Sequence, residues 1–348
     1  MPIIHPSCYR PPLFFENGHL QTVYPNLFRH VTGVSYLRQR IYTPDNDFLD
    51  LDWSSVGADR VAILAHGLEG NSTRPYVLGM VRALNRRGWD AVVWNFRGCS
   101  GEPNRKVRFY HSGDTQDLHA ALTCVHQSSS YETSVLIGFS LGGNVILKYL
   151  GEQAMQLNPK VRAAVVFSVP CDLAASASQM ARPENAVYMK RFIRMLHQKI
   201  RAKMQRFPGE IDDHGFDLMR TFKDFDERYT APLHGFKSAA DYWERASSKS
   251  FLTHITVPTL LVNALDDPFL ALPCYPHHEA QANACLFLET PNAGGHVGFV
   301  SFNSRGEYWS ESRALEFLSS WPQTQIPISR EAGGRNLNLQ EVILGEGL

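Results

Sequence analysis

Short apolar runs recur along this chain, separated by segments of helical period. "RVAILAHG" reads as a buried strand, and Tyr76 to Arg87 as a helix entered through Pro75 and stopped by Gly88. "DAVVWNF" is the next strand, followed by the Gly-rich loop "RGCSGEPN". A helix is expected from about Gly113 to Gln127, with Asp114 and Asp117 near its positive end and "HSGD" as its cap. "SVLIGFS" is a strand, "LGGNVILKYLGEQ" a helix, and "VRAAVVFSVP" a strand ending at Pro170. "VPTLLVNALDDPF" and "ACLFLET" complete the strand set, and Tyr308 to Trp321 makes the last helix. Upstream, "LRQRIYTPDNDFLDLDWS" gives two strands around the turn Pro44-Asp45-Asn46-Asp47. Such alternation predicts an α/β fold, a sheet with helices on both faces.

The alternation breaks between Cys171 and about Phe251, where no strand pattern stands out. In "VYMKRFIRMLHQKIRAKMQR", Met189, Phe192, Ile193, Leu196 and Ile200 recur at helical spacing, while Lys190, Arg191, Arg194, Lys199 and Arg201 take the other faces. The stretch after it, Glu210 to Glu227, is rich in Asp. We read 171–250 as a helical cap inserted into a core formed by 1–170 and 251–321, with 322–348 as a tail. The basic helix is expected to face its acidic neighbour; peripheral membrane contact through the cap is the alternative.

Composition narrows the class. Of 348 residues, 44% are hydrophobic and 20% charged, with 34 basic against 34 acidic. That balance gives no reason to expect a nucleic-acid partner. "MPIIHPSCYRPPLFFENGHLQ" has no basic region followed by a sustained apolar core, so no secretory leader is expected. No apolar run approaches the roughly 20 residues of a membrane span. The six cysteines are scattered without a CxxC pair, which predicts reduced thiols, a cytoplasmic setting and no zinc cage. No P-loop, dinucleotide fingerprint or HExxH is found, and no cofactor or metal is expected.

"GFSLGG" then poses the chemical question. Ser140 stands between a strand that ends at Phe139 and a helix that Leu141 opens, the context a nucleophile elbow requires. A serine hydroxyl is a weak nucleophile at neutral pH and needs a base. In this kind of sheet the acid and the base follow the serine in the order Asp or Glu, then His. Asp267, at the end of "TLLVNALDDPF", is the candidate acid, with Asp266 as the alternative. His296 in "NAGGHVGF" is the candidate base; His277 and His278 fall in a helix, and His66 and His19 precede the serine. The oxyanion donors are expected to be the backbone N–H groups of Leu141 and, in "HGLEGNS", Leu68. His66 is assigned a structural hydrogen bond, Cys99 a buried packing role, and "RGCSGEPN" a place beside the pocket.

At these residues the chain resembles the α/β-hydrolase superfamily, and more narrowly the YheT-like esterases and ABHD-type lipases. The stretches that carry the resemblance are "NGHLQT", "HGLEGNS", "NFRGCSGEPN", "YHSGDTQDL", "GFSLGGN", "DDPF" and "GGHVGF", spread over roughly residues 11 to 300. The resemblance implies an α/β-hydrolase fold, a charge relay on Ser140, Asp267 and His296, and ester hydrolysis without a cofactor. Small-molecule or lipid esters are the implied substrates. Lipid relatives are linked to an HxxxxD pattern; here Ser301 stands five places after His296, which weakens acyl transfer. The rival readings are a lipid-directed lipase or acyltransferase, and a binding protein that keeps the fold without turnover. "NGHLQT" has no role derivable from the residues beyond pinning the N-terminal segment through His19 and Gln21.

Overall fold

Strands β4 (Arg60–Ala65) and β6 (Thr133–Phe139) run parallel at the centre of the sheet, Ile63 opposite Leu136. Their continuous apolar sequence follows from burial on both faces. The computed structural model describes residues 2–127 and 131–320. It adds β1 (Ile3–Ile4), β2 (Leu37–Tyr42), β3 (Phe48–Ser54), β5 (Asp90–Asn95), β7 (Val161–Phe167), β8 (Thr259–Val262) and β9 (Leu286–Glu289). Among the described residues they form one nine-stranded sheet in the order β1-β9-β8-β7-β6-β4-β5-β3-β2. Only the β2–β3 and β3–β5 pairings are antiparallel.

Alternate residues of the central strands feed two cores. Val61, Ile63 and Leu136 pack with α3 (Thr115–Gln127) and α4 (Leu141–Gln153). Ala62, Leu64 and Ile137 pack with α2 (Pro75–Asn85) and α11 (Trp309–Ser319) on the opposite face. Helices therefore cover both faces, as the strand–helix alternation predicts. Tyr308 is the N-cap of α11, while Trp321 and the tail 322–348 lie outside the described residues.

Two N-terminal elements were not anticipated. β1 adds a parallel edge strand beside β9, and α1 (Gly18–Phe28) precedes the first predicted strand. α1 buries Gly18, Gln21, Thr22 and Pro25, and leaves Leu20, Val23, Leu27 and Phe28 exposed. A search for apolar period misses a helix built that way round.

Between β7 and β8 the described chain is helical: α5 (Leu173–Met180), α6 (Ala186–Arg206), α7 (Phe222–Phe225), α8 (Ala231–Leu233) and α9 (Ala239–Ala246). α10 (His277–Ala282) follows β8 and holds His277 and His278. In α6, Met189, Leu196 and Ile200 are buried as the period predicts. His197 and Arg201 meet Asp213 at 2.9 and 3.2 Å. Lys199 departs from the expected outward placement. It turns inward to Glu69 at 3.2 Å, its stem packed so that only the ammonium seeks a partner.

Candidate active site

The turn between β6 and α4 holds Ser140 at φ 53° and ψ −121°, a conformation that costs energy for any residue with a Cβ. The glycines around it are sterically required. A Cβ on Gly142 would stand 2.5 Å from the carbonyl oxygens of Ala65 and His66, and one on Gly138 would stand 2.6 Å from Gly143 Cα. Ser140 N–H donates to Phe167 O at 2.9 Å, tying the turn to the neighbouring strand.

His296 comes from the loop after β9 and Asp267 from the loop after β8. His296 Nε2 lies 2.9 Å from Ser140 Oγ, and His296 Nδ1 lies 2.9 Å from Asp267 Oδ2 and 3.1 Å from Oδ1. Asp267 is buried, and its Oδ1 also accepts the Phe269 N–H at 2.9 Å. The ring of Phe269 packs 4.2 Å from the imidazole, centroid to centroid. The three distant side chains thus form one hydrogen-bonded series.

Asp266, the alternative acid, makes different contacts. Its Oδ1 accepts the Gly295 N–H at 2.8 Å, one residue before the histidine. Burial, then the charge of Asp267, pushes its carboxyl up to about 6. The histidine loop is further held by Thr22 Oγ1, which accepts the His296 N–H at 2.9 Å, and by Ser168 Oγ, which accepts the Val297 N–H at 2.8 Å.

The role of "NGHLQT" is now visible. α1 lies backbone to backbone against this loop: a Cβ on Gly295 would meet Gly18 O at 2.4 Å, and one on Gly298 would meet Gln21 O at 2.5 Å. The fully buried Gln21 Oε1 accepts from Tyr9 Oη at 2.8 Å and from Val300 N–H at 3.0 Å. His19 Nδ1 lies 3.1 Å from Tyr188 Oη on α6. Gly18 and Thr22 carried no sequence signal of their own, since their partners lie over 200 positions away in the chain.

Leu141 is the first residue of α4, so its N–H has no acceptor within the helix. Leu68 sits between Gly67, whose N–H donates to Tyr76 Oη at 3.0 Å, and Glu69, whose N–H donates to Tyr110 Oη at 2.8 Å. Both leucines line a cavity at Ser140. His66 is fully buried, accepts the Phe96 N–H on Nε2 at 3.2 Å, and is pushed down to about 3 by burial. Cys99 is buried and its thiol is pushed up to about 12 by burial, the opposite of an activated nucleophile.

Two cavities meet at Ser140 and His296. The first runs under the helices between β7 and β8, where Leu173, Met180, Phe192, Leu196 and Phe222 give it an apolar wall. The second lies between α1, α2 and α6, with Thr22, Asn26, Arg74 and Arg191 at its sides. The loop "RGCSGEPN" lines neither, contrary to expectation. Arg97 is instead committed to Asp45, Asp47 and Asp117 at 2.6–2.9 Å, which anchors the loop against β2–β3. Among the described residues, no group of His, Cys, Asp and Glu is arranged to hold a metal ion, and no helix is long and apolar enough to cross a membrane.

Residues 62–302 match the family model described as alpha/beta hydrolase fold. Over 314 residues the chain is 36% identical to YheT of Escherichia coli (strain K12), covering 88% of this chain and 92% of that one. It is 28% identical to the phospholipase ABHD3 of Mus musculus over 302 residues, 84% of this chain and 73% of the relative. Among solved structures, an esterase of Pyrococcus furiosus superposes with a TM-score of 0.56 at 18% identity, covering 83% of this chain and 92% of that one.

Proposed function

The chain belongs to the α/β-hydrolase family, and on that premise we propose that it is a serine hydrolase cleaving carboxylic esters through an acyl-enzyme. One observation carries the reading: the unbroken series from Asp267 through His296 to Ser140 Oγ, with every link between 2.9 and 3.1 Å. His296 Nε2 takes the hydroxyl proton as Oγ bonds to the ester carbonyl carbon. The N–H groups of Leu141 and Leu68 stabilise the negative charge that develops on the carbonyl oxygen. His296 then gives the proton to the departing alcohol oxygen as the C–O bond breaks. A water molecule repeats the sequence on the acyl-enzyme, releasing the acid. Asp267 holds the ring with Nε2 toward the serine and stabilises the imidazolium. No step calls on a cofactor.

In this reading the acyl group enters the apolar cavity, and residues 171–250 serve as its cap. Cys8, Cys99, Cys171, Cys274 and Cys285, which form no disulfide among the described residues, support a cytoplasmic setting. Lipid esters are the second reading, favoured by exposed Leu27 and Phe28 on α1 beside the second cavity and by the phospholipase among the relatives. The decisive experiment is hydrolysis of p-nitrophenyl esters of graded chain length by the intact protein and Ser140→Ala, beside labelling with a fluorophosphonate. Hydrolysis and labelling that both vanish in S140A support the proposal. Equal turnover by the variant overturns it, and an intact protein that neither labels nor hydrolyses is a binding protein on this fold.

A further inference from the structure

One corner of the first cavity, away from its apolar wall, is polar. Asp226, Thr230, Tyr242 and Trp243 line it. Asp226 Oδ1 accepts from Thr230 Oγ1 at 2.7 Å, and Oδ2 accepts from Trp243 Nε1 at 2.8 Å. Both donors are neutral. Neither bond comes from a Lys, Arg or His, and His111, which lines the same cavity, has its imidazole pushed down to about 3 by burial. Asp226 is half-buried, and a carboxylate drawn out of water is costly unless a positive charge accompanies it.

The backbone at this corner is also unusual. Asp226–Thr230 is a π-helical turn between α7 and α8. Such turns insert a residue, re-aim the side chains around it and cluster at functional sites. A simple tie between Thr230 and Trp243 would need two acceptor atoms but no net charge. Burial pushes the Asp226 carboxyl up to about 6, and both of its oxygens are bonded to neutral donors rather than to a cation. Its hydrogen bonds go to Thr230 and Trp243 rather than to Ser140 or His296, so it is free to read a part of the substrate remote from the scissile bond.

We infer that this corner is a subsite for a positive charge: the acyl group that fills the apolar cavity carries a protonated amine at its far end, paired with Asp226. The inference rests on the esterase reading. It makes Asp226 a specificity determinant, because the apolar wall rewards the methylene chain and the carboxylate rewards only a cation at the matching distance.

The test compares ethyl esters of ω-amino acids of increasing chain length with the matching unsubstituted and ω-hydroxy acids. Acid release is followed by pH-stat near neutrality for the intact protein, Asp226→Asn and Asp226→Leu. The readout is the ratio of kcat/KM for amino and unsubstituted esters within each protein, which partial misfolding does not move. The expected result is a preference for the amine of roughly tenfold or more, confined to one chain length. It should fall to near parity in D226N, and D226L should favour the unsubstituted ester. A ratio that is flat with length, unchanged in D226N, or matched by the ω-hydroxy series overturns the inference. Labelling by fluorophosphonate separates the two failures. A protein that labels at Ser140 yet shows no amine preference loses only the subsite, whereas S140A hydrolysing as fast as the intact protein removes the esterase reading itself.

Discussion

A side-chain carbon on Gly18 would stand 2.0 Å from the carbonyl oxygen of Asp266. α1 therefore rests directly on the turn that presents Asp267, and one turn along the same face of the helix Thr22 holds the His296 amide. Gly18→Ala must push the helix or the turn aside. Overpacking of this kind costs about 1–3 kcal/mol, and the displacement acts on the acid and the base together. We expect a lower melting temperature and a fall in kcat/KM of roughly tenfold or more, since sub-ångström misplacement of reacting groups is expensive. Thermal unfolding beside ester hydrolysis checks this; loss of stability with unchanged turnover would show that α1 only supports the fold.

The adjacent carboxylates separate cleanly by substitution. Asp267→Asn replaces the acceptor of the His296 Nδ1–H with an amide and favours the wrong tautomer, so kcat should fall by roughly 10³–10⁴. Asp266→Asn keeps an oxygen for the Gly295 N–H and should retain turnover within about tenfold. Steady-state kinetics on one ester decides between them. The reverse ranking would move the acid to Asp266.

Those two residues also mark how far the sequence could be read. The order Ser, Asp, His and the strand ends narrowed the candidates to within one position; of the two adjacent carboxylates, Asp267 hydrogen-bonds the His296 ring and Asp266 accepts the Gly295 N–H. The central strands were legible because burial on both faces leaves a continuous apolar run. α1 was not, because its inward face is Gly18, Gln21, Thr22 and Pro25, residues chosen for close backbone approach and hydrogen bonding rather than apolarity. The two-residue β1 is too short to carry a pattern. Lys199 and Asp226 escaped for a related reason: periodicity assigns a charge to the solvent side, and only the fold reveals which charges turn inward.

Gln21 makes the same point energetically. Its Oε1 serves Tyr9 Oη and Val300 N–H, and its Nε2 donates to Phe15 O at 2.7 Å. Gln21→Leu would leave the Val300 N–H and the Phe15 carbonyl without these partners, at a cost of about 2–4 kcal/mol. Urea unfolding of the variant should show the midpoint lowered with an unchanged slope. A smaller loss would mean that water enters and takes over the bonds.

The last expectation concerns acid. His66 is fully buried and its folded value is pushed down to about 3, against 6.5 for the ordinary imidazole. Between those values the unfolded chain holds a proton that the folded chain refuses. The stability this group contributes is complete above pH 6.5 and is lost as pH falls toward 3. At pH 5 the loss is about 2 kcal/mol, from 1.36 kcal/mol per unit over roughly one and a half units. His66→Gln keeps an acceptor for the Phe96 N–H and does not titrate, so its stability should change less between pH 7 and pH 5 by about that amount. Urea midpoints of both proteins at the two pH values give the comparison. Parallel curves would show that His66 takes up its proton in the folded state, and hence that the loop bearing Leu68 opens to water in acid.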